Sequence, residues 1–131
     1  MAGTTVQPLA NALIDRRRLP ILGARLGGIQ GPGWTGKTLL LLGDPAATGM
    51  LERALATTSA PHPRLGLLVD LAMARTRDGD ADHAIALLVE GAQLAVERGI
   101  EGFARWRLQE GRAHFSPAQQ RTFDSRLQAV A

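Results

Sequence analysis

The sequence predicts an all-α protein built from short antiparallel helix hairpins, and three observations carry that expectation. Its apolar residues are mostly leucine and alanine, the strongest helix formers, and few stretches show the β-branched and aromatic enrichment of strands. Gly43, Gly79 and Gly99 fall between helix-periodic segments, where a left-handed stop is expected. Helix-start signals accompany them: Asp44 with Pro45, and later Ser116 with Pro117 and Gln119.

Taken in order, the elements divide into a loop-rich N-terminal segment, 1–33, and a helical domain, 34–131. In the first, "PLANALIDRRRL" (8–19) places Leu9, Ala12 and Leu13 on one side of a short helix. Pro20, Gly23, Gly27, Gly28, Gly31, Pro32 and Gly33 interrupt every longer pattern. A helix ends at Gly43, and the next carries Leu51 and Leu55 on one face. "SAPHP" (59–63) reads as a linker, its two prolines opposing helix continuation.

A helix over 65–77 follows, with Leu68, Leu71, Ala72 and Arg75 at helical spacing, then a turn at 78–80. The helix to Arg98 carries Ala84, Leu88, Gly91 and Ala95, a face of mostly small residues that lets two helix axes approach closely. "IEGFARWRLQEG" places Ile100, Phe103, Ala104 and Leu108 on a stripe, with Phe103 in the core and Trp106 off it. The last helix opens with the S-x-x-Q capping box of Ser116 and Gln119 and buries Phe123, Leu127 and Val130.

Composition narrows the function classes. The 131 residues suit one domain with a real core. Aromatics are 4% with no tyrosine, so faces for stacking bases are scarce. Net charge is +3, and the sequence pI of about 10.9 reflects arginine, since Lys37 is the only lysine. Residues 1–40 are basic, whereas ten arginines meet eleven acids from residue 41 onward, which argues against a broad phosphate-binding face there. The lack of cysteine excludes disulfides and thiolate chemistry. His62, His83 and His114 lie far apart, as surface or loop residues rather than metal ligands. No wholly apolar run exceeds six residues, so no membrane span is expected, and a cytoplasmic protein is the default.

An internal repeat refines the architecture. "GDPAAT" (43–48) superposes on "GDADHA" (79–84) at an offset of 36 residues, and Leu51 then falls on Leu87. The stretch 65–98 resembles a tetratricopeptide (TPR) unit. Leu68, Leu71 and Ala72 match its first-helix packing positions, Gly79 its turn, and Ala84, Leu88 and Gly91 its second-helix positions. It departs at Arg75, usually aromatic, and at Val96, where proline often stands. More broadly, 39–130 resembles the C-terminal helical region of actinobacterial transcriptional regulators with a helix-turn-helix of the xenobiotic-response-element type. That resemblance implies a short α-solenoid that senses a signal or mediates assembly. No residues match the DNA-binding half.

One motif offers a rival. "GPGWTGKT" (31–38) has the spacing of a phosphate-binding P-loop, with Gly31, Gly36, Lys37 and Thr38 in its key positions. A functional P-loop needs a strand leading in and a sustained helix leading out. Upstream, "ARLGGIQ" is a poor strand, and downstream Gly43 follows within two turns. Asp70, after the apolar "GLLV", has the position of a Mg²⁺-binding acid but lies in a strong helical pattern. The repeat reads the same residues as the second half of a helix whose first half Gly31, Pro32 and Gly33 destroy. Asp78, Asp80 and Asp82 resemble part of a Ca²⁺ loop but lack its glycine and terminal glutamate. They read as a capped helix turn.

The expectation is therefore a non-enzymatic module, without cofactor or metal, that binds a protein, a peptide or a regulatory small ligand. It would not contact nucleic acid directly. Val69, Met73, Thr76 and Arg77 are the expected groove residues, the first two for apolar contact and Arg77 for a carboxylate. A P-loop nucleotide-binding protein is the alternative.

Overall fold

The computed structural model describes residues 31–130, which form α-helices joined by turns with no strand among them. The helices are α1 (Gly31–Leu41), α2 (Ala47–Thr57), α3 (Pro61–Arg77), α4 (Ala81–Arg98), α5 (Glu101–Arg112) and α6 (Pro117–Val130). The all-α expectation holds. The chain divides between Ala54 and Leu55 into two units. Residues 1–30, which include the expected helix at 8–19, lie outside the described set. So do the side chains of 31–34.

In the first unit, α1 begins at Gly31 rather than after Gly33, so the glycine–proline cluster does not destroy its first half. Pro32 is tolerated because amides in the first turn have no intrahelical acceptor to lose. The left-handed Gly43 (φ 73°) closes α1, as expected. Its amide donates to the Leu40 carbonyl at 3.0 Å and that of Asp44 to Leu39 at 2.9 Å. The Asp44 carboxylate accepts from the Ala46 amide at 2.8 Å, and α2 starts one residue later. Within this hairpin Gly36 is sterically required. A Cβ there would lie 2.9 Å from Cγ and Cδ2 of the fully buried Leu51.

In the second unit, "SAPHP" is not a linker. Helix α3 starts at Pro61, with both prolines in its first turn, and the Arg64 amide makes a helical bond to the Ala60 carbonyl at 3.0 Å. The reason is again that the first amides of a helix are idle, so proline costs little there. Turns at Gly79 (φ 85°) and Gly99 (φ 67°) repeat the closure seen at Gly43, with Asp80 donating to Arg75 at 2.9 Å and Ile100 to Ala95 at 2.9 Å. Asp80 caps α4 through the His83 amide. The Ser116–Gln119 box forms in both directions: Gln119 Oε1 accepts from the Ser116 amide at 2.8 Å, and Ser116 Oγ from the Gln119 amide at 3.2 Å.

Helices α3 and α4 form the principal pair, packed through Leu65, Leu68 and Leu88, all fully buried. Burying each such leucine contributes roughly 1.5–3 kcal/mol relative to exposure. The small face of α4 behaves as expected: a Cβ at Gly91 would lie 3.2 Å from a Leu65 methyl and 3.4 Å from one of Leu108. Helix α5 lies across α3 and α4, and α6 rests on α4. Backbone packing between α5 and α6 themselves is slight. Both use α4 as a base.

Candidate functional site

The separation of α5 from α6 leaves a groove of about 620 Å³ floored by α4. Small residues keep the floor low: Ala92 and Ala95 on α4, with Ala104 beside them on α5. Leu108 forms the α5 wall, and Phe123, Leu127 and Val130 form the α6 wall. Of the expected α6 core residues only Phe123 is fully covered, edge-on to Phe115 with ring centroids 6.1 Å apart. Leu127 and Val130 are half-buried. Val96 is 53% exposed at the groove's edge.

Charged side chains border this apolar trough. Arg112 bridges α5 to α6, its Nε donating to Asp124 Oδ1 at 2.8 Å and its Nη2 to Oδ2 at 2.6 Å. Such a bidentate pair fixes both planes as well as the distance. The hydrogen bonds, helped by the opposite charges, hold the Asp124 carboxyl below the usual carboxylate range and raise Arg112, with desolvation acting in the opposite direction. Gln120 adds a bond from its side-chain amide to the Arg112 carbonyl at 3.2 Å. Glu101 and Arg105 stand further along the α5 rim.

On the other side of α5, Arg107 is buried in a socket on α3. Its Nη2 donates to Asp70 Oδ1 at 2.8 Å and to the Gly66 carbonyl at 3.2 Å, and its Nη1 to Glu110. Both Arg107 and Asp70 are under a tenth exposed. A Cβ at Gly66 would lie 3.7 Å from the guanidinium, in ordinary van der Waals contact with it. Asp70 therefore serves as the counter-charge of an interhelical ion pair on a helix, not at the end of a strand.

The expected groove residues are not gathered on an open face. Val69 is fully buried against α5, where it neighbours Gly111, and Met73 is 7% exposed. Neither can offer apolar contact to a partner. Thr76 spends its hydroxyl on the Ala72 carbonyl at 2.8 Å, and exposed Arg77 lies 3.6 Å from Asp78. Gly31, Gly36, Lys37 and Thr38 of the P-loop motif all lie on α1. Amides beyond its first turn serve the helix, Gly36 faces Leu51, and Thr38 is buried, so the motif does not form a phosphate-cradling loop.

Phe103 corrects another expectation. It is 38% exposed, edge-on to His62 at 4.6 Å, while Arg107 takes the buried place on α5. Trp106 is 56% exposed, in line with its position off the stripe. The missed pair had a signal: an acid inside the apolar run 65–74 and an arginine three residues after Ala104 each fall on a core-facing stripe. Among the described residues no cluster of three or more histidines or acids could hold a metal ion, and no helix is long and apolar enough to cross a membrane. Comparison with protein-family models, curated proteins and solved structures brings no match to this chain.

Proposed function

We propose that this chain is a helical binding module whose α4–α5–α6 groove receives the apolar face of an amphipathic helix from another polypeptide. The observation that carries the reading is the groove itself, with methyl-sized floor residues, leucine walls and a charged rim. Helix-in-groove recognition needs that combination: apolar side chains at i, i+3 or i+4 fill the trough, while polar flanks set the register. The partner's apolar face gains about 25 cal/mol for each Å² it removes from water.

The repeated Gly–Asp closures at 43–44 and 79–80 support reading the chain as degenerate TPR-like hairpins. On the sequence resemblance, we further read the module as the regulatory part of a transcriptional regulator, separate from its DNA-binding domain.

Selection from a displayed library of helical peptides tests the groove. The expected outcome is enrichment of peptides with apolar residues at i, i+3 and i+4 that bind the parent chain and lose at least tenfold in affinity for Leu127→Arg. Selected peptides that bind Leu127→Arg and Val96→Arg as tightly as the parent chain would place the binding face elsewhere.

A further inference from the structure

Helix α5 is attached differently from α3 and α4, on which it rests, while α6 buries Phe123 alone. Helix α3 buries nine residues, eight of them apolar, and α4 buries eight, all apolar or glycine. Helix α5 buries three: Ala104, Arg107 and Gly111. Those are one methyl group, one guanidinium and one residue without a side chain. On the α5 side the half-buried Ile100 and Leu108 add to the apolar cluster around Leu65, Ala95 and Ala104, with Leu94 added from α4.

Polar tethers supply the rest. Arg107 is keyed into the Gly66–Asp70 socket of α3, and Arg112 is clamped to Asp124 of α6, with Gln120 on its carbonyl. Glycine-closed or short turns stand at both ends, Gly99 on one side and 113–116 on the other. Release of α5 exposes the apolar surface it covers on α3 and α4 but leaves the interface between those two intact, and so costs less than unfolding a helix embedded in the core.

We propose that α5 is a detachable helix, keyed to α3 by the Arg107–Asp70 pair, that opens as a unit while α3 and α4 stay paired. Opening uncovers Val69 and Leu88, which pack against Gly111, and Leu65, which lies with Leu108 around Gly91. It also removes one wall of the groove. An apolar strip on α3 and α4 thereby becomes available only in the open state. This conformational device does not depend on what occupies the groove.

Native-state amide hydrogen exchange on the full chain, resolved by residue, tests it. In the parent protein the α5 amides from Arg105 to Arg112 should exchange at least tenfold faster than those at the centre of α4, after correction for intrinsic rates. Ala84→Gly, which weakens α4 away from α5, should speed exchange in α4 by roughly fivefold and leave α5 unchanged, because α4 stays folded when α5 opens. Asp70→Asn should speed exchange in α5 by about a hundredfold, as expected when a buried guanidinium loses its carboxylate. Equal protection of α5 and α4 in the parent chain, equal acceleration of both by Ala84→Gly, or unaltered α5 exchange in Asp70→Asn would each overturn the proposal. Should Asp70→Asn not fold, the first two measurements decide it.

Discussion

Arg107 on α5 and Asp70 on α3 form a buried ion pair at 2.8 Å, 37 residues apart in the chain. The pair has a defined geometric basis. The Gly66 carbonyl, one turn before Asp70, accepts from the same nitrogen as Asp70, and Glu110, one turn after Arg107, accepts from the other. Removing two charges from water costs several kcal/mol per ion, which such contacts recover only with good geometry. The pair therefore fixes where α5 docks more than it adds to net stability.

That asymmetry gives the first prediction. Asp70→Ala strands the guanidinium and should lower the unfolding free energy by about 3 kcal/mol, the low end of the range for breaking a buried pair, because Glu110 and the Gly66 carbonyl remain. Replacing both residues, as Asp70→Leu with Arg107→Met, should recover most of that loss. Urea unfolding followed by circular dichroism measures both. A double variant as unstable as Asp70→Ala would show that the pair contributes more than the avoidance of a stranded charge.

Glycines in the helices separate into those that space requires and those that it does not. A methyl group at Gly36 would collide with Leu51 side-chain atoms at 2.9 Å and approach its backbone nitrogen at 3.2 Å, so Gly36→Ala should cost about 1–3 kcal/mol through overpacking. Gly102 has nothing within 4 Å and ordinary helical backbone, so Gly102→Ala should stabilise by up to about 1 kcal/mol through helix propensity alone. Thermal midpoints should move in opposite directions. A rise in both would mean that Leu51 yields and that close approach in the first hairpin is not obligatory.

The Arg112–Asp124 bridge predicts a pH dependence whose sign follows from its hydrogen bonds. Asp124 is held below its ordinary value when folded, so its contribution is fully present above the unfolded carboxylate pKa of about 3.9 and is lost as pH falls through the folded value. Asp124→Asn should thus be less stable than the parent at pH 7, and the difference should vanish in acid. Because the bridge is exposed to solvent, added salt should shrink the difference at pH 7 as well. A stability gap that persists unchanged at pH 2.5 would assign the effect to something other than this charge.

How much of this was legible in the sequence depends on the range of the interaction. Gly43, Gly79 and Gly99 and the Ser116–Gln119 box act within five residues, and each appears in the structure where its signal stands, whereas Asp44 and Pro45 form a turn ahead of α2 rather than its cap and first residue. The small face around Gly91 was legible too, since helical spacing fixes which residues share a side. Pro61 and Pro63 were misread because proline's meaning reverses with position: it breaks a helix interior but suits a first turn.

The sequence by itself determined that this chain is helical, where most of its helices end, and which residues of α4 allow a neighbour to come close. Only the tertiary structure decided that Arg107 rather than Phe103 is buried, that Val69 and Met73 are covered, and that a groove lies between α5 and α6. The physical reason is that a helix's own periodicity names its faces but not their partners. Phe103 and Arg107 lie one turn apart on the same side of α5, and which of them is buried is set by a socket 37 residues upstream of Arg107.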